Sequence, residues 1–103
     1  MERMGRDAPL PDAMQGRWVI EDEPASELVV AGGEVVFIGR AVAYDYKVIE
    51  EIDGALIVGL RIDDEARKDT FTRENITGLV ITPDGKFQGW NVKFATQFVR
   101  AAS

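Results

Sequence analysis

Residues 42–62, VAYDYKVIEEIDGALIVGLRI, constrain this chain most. Two runs rich in β-branched and aromatic residues flank Asp53-Gly54, which is a hairpin signature. Two registers compete. A two-residue turn pairs Ile52 with Ala55 and puts Asp45 and Lys47 on the same face as Leu60 and Ile62. A three-residue loop, Ile52-Asp53-Gly54 with Gly54 left-handed, pairs Glu51 with Ala55, Tyr46 with Leu60 and Val48 with Val58. One face then carries Tyr44, Tyr46, Val48, Leu56, Val58, Leu60 and Ile62. The other carries Asp45, Lys47, Ile49, Ile57 and Arg61. Side chains alternate along a strand, so a one-residue slip inverts the pattern. The three-residue loop is expected, because it alone segregates apolar from charged. It also sets Asp45 across from Arg61.

The rest of the chain repeats this theme. Residues 1–15 hold Pro9, Pro11, charges and no periodicity, and read as an extended or disordered arm. Residues 16–103 read as one domain. A first strand runs over 16–21, and Asp22-Glu23-Pro24-Ala25 breaks it. A hairpin over 26–40 turns at Gly32-Gly33, a composition suited to a type I′ turn. Residues 63–69 form a polar loop with room for one helical turn, and residues 70–73 a short strand. A strand over 76–82 turns at Pro83-Asp84-Gly85 into a long strand over 86–99. There Trp90, Val92, Phe94 and Phe98 alternate, and Gly89 is expected to mark a bulge. The fold class is therefore all-β: an antiparallel up-and-down meander of seven to eight strands. A sheet this regular either closes into a small barrel or exposes apolar edges.

Composition removes several chemistries. The chain has no cysteine and no histidine, which excludes disulfides, thiolate and Ser–His catalysis, and cysteine- or histidine-ligated metal sites. Neither Ser26 nor Ser103 sits in a nucleophile-elbow context. No cofactor, metal site or catalytic residue is expected. The net charge of −6 repels phosphate backbones, so nucleic acid is not an expected partner. No apolar run approaches the ~20 residues that span a bilayer, and the opening residues lack a secretory apolar centre. A cytoplasmic location without membrane contact is the expectation.

Gly16-Arg17-Trp18 opens the first strand of this meander. That motif on that topology resembles the calycin superfamily, the lipocalin-like and streptavidin-like barrels, and its small bacterial members of unassigned function in particular. The resemblance implies that Trp18 packs across one end of the barrel. It implies that an arginine near the last strand, Arg100 by position, covers the ring. It also implies a small apolar ligand inside.

Three groups of residues are candidate sites. Trp18, Tyr44, Tyr46 and Trp90 are expected inside, either lining a ligand pocket or filling the core. The looser end of the meander carries an acidic rim, Asp22, Glu23, Asp63, Asp64 and Glu65. This rim favours a cationic or amine-bearing ligand, weakly holds Ca²⁺ without the spacing of a calcium loop, or is simply solvated. Val29, Val36, Ile38, Ile49 and Ile57 are expected outside, as a patch for a homodimer. The leading expectation is a non-enzymatic barrel binding a small apolar or amine-bearing molecule. The alternative is a homodimeric assembly module with a solid core. Carboxylate or tyrosine catalysis ranks below both, since Glu50 and Glu51 point to opposite faces.

Overall fold

A computed structural model describes residues 2–101. These residues form ten strands in one antiparallel sheet: β1 (Glu2–Gly5), β2 (Gly16–Ile20), β3 (Glu23–Ala31), β4 (Glu34–Phe37), β5 (Arg40–Ala41), β6 (Tyr46–Ile52), β7 (Ala55–Arg61), β8 (Gly78–Ile81), β9 (Phe87–Trp90) and β10 (Ala95–Arg100). The spatial order is β1-β6-β7-β8-β9-β10-β2-β3-β4-β5, and the sheet curls into a half-barrel. The all-β antiparallel class is as expected, with the strand count higher. The extra strands have local causes. A turn at Ile38-Gly39 splits off β5. The long strand over 86–99 is two strands, because Asn91 accepts from the Lys93 and Phe94 amides and turns the chain. Gly89 lies in continuous register rather than at a bulge.

The central hairpin adopts the two-residue register. Ile52 pairs with Ala55, Lys47 with Leu60 and Tyr46 with Arg61. Asp53 and Gly54 both have positive φ, 51° and 84°, the type I′ pattern whose twist matches flanking strands. The three-residue loop is thereby corrected, and β6 turns over. Lys47 and Ile49 point inward; Tyr46 and Val48 point outward. The expected Asp45–Arg61 side-chain pair is replaced by backbone bonding, Asp45 N–H to the Arg61 carbonyl at 2.8 Å. The Asp45 carboxylate accepts instead from the Asp63 amide at 2.9 Å.

One helix, α1 (Lys68–Glu74), replaces the short strand expected at 70–73. It follows a 3-10 turn, Glu65–Arg67, capped by the Asp64 side chain accepting from the Ala66 amide. Ion pairs Lys68–Glu65 and Arg73–Asp69 run along its exposed side. Phe71 is its buried anchor. With Ile62 and Ile76 it packs over the core at the looser end.

The first fifteen residues are not a free arm. β1 pairs with β6 along Glu2–Gly5. Residues 6–15 then cross to the β3–β4 turn. Leu10 donates its amide to the Gly32 carbonyl at 2.9 Å. The Gln15 side chain exchanges two bonds with Gly32, at 2.8 and 2.9 Å. This strap passes so close to Gly33 that a Cβ there would meet the Ala8 carbonyl at 2.8 Å. Only Gly32 of that pair has positive φ, so the turn follows the type II′ pattern rather than type I′. Gly33 is glycine for close approach. Leu10 and Met14 are buried to 1% and 0% exposure. The strap therefore supplies the core side chains that a half-barrel lacks on its open side.

Candidate functional site

The interior is solid. Tyr44, Leu28, Val35, Val58, Leu79 and Phe87 are all essentially inaccessible. Trp18 is buried beside Phe87, edge to face at 4.5 Å between ring centroids. Its indole N–H donates to the Met14 carbonyl at 2.9 Å. The Arg100 guanidinium lies 3.9 Å over the Trp18 ring and donates to the Gln15 carbonyl at 2.5 Å. Gly16, at φ 115°, leaves the room this needs: a Cβ there would stand 2.6 Å from the guanidinium. Arg100 thus covers Trp18, and Gly16 leaves the space for it.

Of the four aromatic candidates, Trp18 and Tyr44 are inside, and Tyr46 and Trp90 are not. Tyr46 lies on the outer face with the Arg3 guanidinium 3.7 Å from its ring. Trp90 covers Gly78, its cross-strand partner, on the same outer face. Neither lines an internal pocket. Their displacement follows from the register in β6 and from the turn at residues 91–94.

Sequence reading missed Lys47. Its side chain is fully buried. The ammonium donates to the Gly5 carbonyl at 2.7 Å and to the Tyr44 hydroxyl at 3.3 Å. Tyr44 in turn donates to the Gly33 carbonyl. Burial pushes the Lys47 pKa down, weakly opposed by Asp7. Burial also pushes the Tyr44 phenol up, opposed by Arg6. Both shifts penalise the charged form in a low-dielectric interior. The pair clips β1 and the strap to the far side of the sheet. Neither group lines the clefts at the mouth of the half-barrel described below. No local signal marks Lys47 as buried, because its partners lie on segments remote in sequence.

The acidic rim does not converge. Asp63 pairs with Arg3, Asp64 caps the 3-10 turn, Glu65 pairs with Lys68, and Glu23 accepts from Ser26. Asp22 is exposed at the β2–β3 turn. Among the described residues no group of three acids is placed to hold a metal ion. The five apolar residues do not converge either. Val29 and Val36 are cross-strand partners on the outer face. Ile57 shares that face but sits on β7, separated from them by β8, β9, β10 and β2. Ile49 points inward and packs on the core.

Ile38 is the exception of that group. It is 57% exposed and left-handed, at φ 52°. A β-branched residue there is a backbone outlier, costing on the order of 1–3 kcal/mol. Asparagine or glycine would meet the turn without that cost. Ile38 separates two clefts at the looser end. One, of about 260 Å³, lies between the β4–β5 hairpin and the end of α1, lined by Phe37, Ile38, Arg40, Val42, Glu74, Asn75 and Ile76. The other, of about 340 Å³, is shallower and lined by Ile20, Glu23, Phe37, Ile38, Phe94, Ala95 and Thr96. Phe37 stacks on Phe94 at 6.1 Å between them. Of the expected rim, Glu23 lines the second cleft.

The first cleft is the best-built site. Its floor is apolar: Val42 and Ile76 are each 1% exposed, and Phe37 packs on the core. Its lips are polar. Asn75 is held by its side-chain N–H donating to the Phe71 carbonyl at 3.1 Å. Arg40 and Glu74 are exposed, and neither forms an ion pair with a described residue. Among the described residues no helix is long and apolar enough to cross a membrane. No family model, no curated protein and no solved structure matches the chain.

Proposed function

We propose that this chain is a non-enzymatic binding module that takes a small apolar molecule at the mouth of its half-barrel, between the β4–β5 hairpin and the end of α1. The single observation that carries this is Ile38. A strained, exposed, β-branched residue held beside an apolar-floored cleft marks a position retained for its side chain rather than for its turn. The cleft, at about 260 Å³, falls just below the roughly 300–1,000 Å³ of drug-sized sites and suits a smaller ligand. A calycin-like barrel is the reading of the fold that the Arg100–Trp18 stack and the antiparallel curl support. In this chain the barrel interior is filled, so the ligand stays at the mouth. Catalysis has no support in the cleft, whose only acid–base group is the exposed Glu74.

A titration with benzyl alcohol, a small neutral apolar probe, followed by amide NMR shifts tests the reading. Saturable shifts confined to residues 37–42 and 74–76 are expected. Shifts that are absent at millimolar probe, or confined to the outer face around Trp90, would overturn it.

A further inference from the structure

The polar groups around the cleft specify more than an apolar ligand. Arg40 and Glu74 carry opposite charges and line one small cleft, yet they do not come within the 4.0 Å of an ion pair. They therefore stand apart, each without a protein counter-ion among the described residues. Glu74 is also the last residue of α1. A carboxylate at that end adds to the partial negative charge of the terminal carbonyl groups. Asn75 adds a second acceptor beside it. Its side-chain N–H is committed to the Phe71 carbonyl, and this leaves Oδ1 without a described donor. Glu74 and Asn75 thus both line the cleft at a helix end where a cation is favoured. Arg40 offers a planar donor fork that suits a carboxylate. Phe37, Ile38, Val42 and Ile76 lie with them around the same volume.

We infer that the ligand of this cleft is a zwitterionic apolar amino acid. Its ammonium is held by Glu74 and Asn75, its carboxylate by Arg40, and its side chain by the floor beneath Ile38. The inference rests on the cleft reading above and adds the ligand class to it. Both unpaired lip charges are matched by one small molecule, whereas a simple amine or a simple acid leaves one of them uncompensated.

The test is an NMR titration of the full chain with L-leucine, isoamylamine, 4-methylpentanoate and benzyl alcohol in parallel. The amine lacks the carboxylate and the acid lacks the ammonium. Leucine is expected to saturate the shifts of residues 37–42 and 74–76 at a concentration about tenfold lower than either analogue, the scale of one charge-assisted hydrogen bond. Arg40→Met should erase the advantage over isoamylamine. Glu74→Gln should erase the advantage over 4-methylpentanoate. Both residues are exposed, so unchanged shifts in the β6–β9 core serve as the check that each variant folds. Leucine binding no more tightly than both analogues overturns the amino-acid assignment, as does an advantage that survives both substitutions. Benzyl alcohol binding in that case leaves the cleft itself standing. If none of the four compounds binds, both readings fail together.

Discussion

Two residues show most directly how local cost and global role separate. Ile38 occupies a left-handed position that glycine fills without strain. Ile38→Gly should raise stability by about 1 kcal/mol in urea unfolding, since the strain removed outweighs a side chain that is already mostly solvated. The same change should weaken ligand binding at the mouth. A variant that loses both stability and binding would show the residue to be a packing element only. Lys47 carries a pH signature. Its folded pKa is lowered by burial, so below that value both states are protonated and the burial cost is fully present. Between the lowered folded value and the unfolded value near 10.4, the unfolded chain binds more protons, and stability rises with pH. Tyr44, raised by burial, works in the opposite direction once pH passes the unfolded tyrosine value near 10. Urea midpoints should therefore climb as pH approaches the unfolded lysine value from below, and turn over above about pH 10. Lys47→Met should flatten the climb, and a wild-type profile that is already flat from pH 7 to 10 would refute this account.

At the scale of the element, turn chemistry decides register. Asp53 and Gly54 both lie at positive φ, and that requirement selects the two-residue turn. A Cβ on Gly54 would meet Pro83 only at ordinary contact distance, 3.5 Å. The cost of Gly54→Ala is therefore conformational, about 1–2 kcal/mol by urea unfolding. A change under 0.3 kcal/mol would mean that the backbone there is not held left-handed. The same hairpin shows where sequence reading went astray. Segregating apolar from charged residues along 42–62 favours the three-residue loop, because an inward Lys47 looks prohibitive. It is tolerated because a carbonyl from β1 and the Tyr44 hydroxyl receive its ammonium. Periodicity along one segment cannot register partners that another segment brings. Helix α1 was hidden for a related reason: seven residues with one buried apolar anchor give almost no 3.6-residue period.

For the molecule as a whole, the strap of residues 6–15 replaces the missing wall of a half-barrel. Leu10 and Met14 are fully buried, each contributing roughly 1.5–3 kcal/mol. The Trp18 indole, the Gly32 amide and the Lys47 ammonium all hold to the strap or to β1. Small domains have about 5–15 kcal/mol of total stability. Deleting residues 1–15 should therefore abolish cooperative unfolding and near-ultraviolet circular dichroism. An unchanged urea midpoint would restore the view of this segment as a dispensable arm. Low hydrophobic periodicity and two prolines conceal its role. A segment that contributes only Leu10 and Met14, and crosses strands rather than pairing along one, shows neither a 2.0 nor a 3.6 period.

The sequence by itself determined the all-β antiparallel class, the hairpin at Asp53-Gly54 and the placement of Trp18 in the core; Tyr44 is inside as expected, but the register that put it there was the one the structure corrects. These follow from alternation, turn residues and β-propensity, which act over a few neighbours. That Arg100 lies over Trp18 carries no local signal in the sequence, because the two residues come from strands far apart in the chain. Tertiary structure alone decided that Lys47 is inside while Tyr46 and Trp90 are outside. It alone decided that the acids of residues 22–65 scatter, and that Arg40, Glu74 and Ile38 share a cleft. Each of those outcomes depends on strands brought together by the curl of the sheet and on the strap that crosses it. Hydrogen bonds and charges closed over such distances leave no trace in the pattern of any single segment.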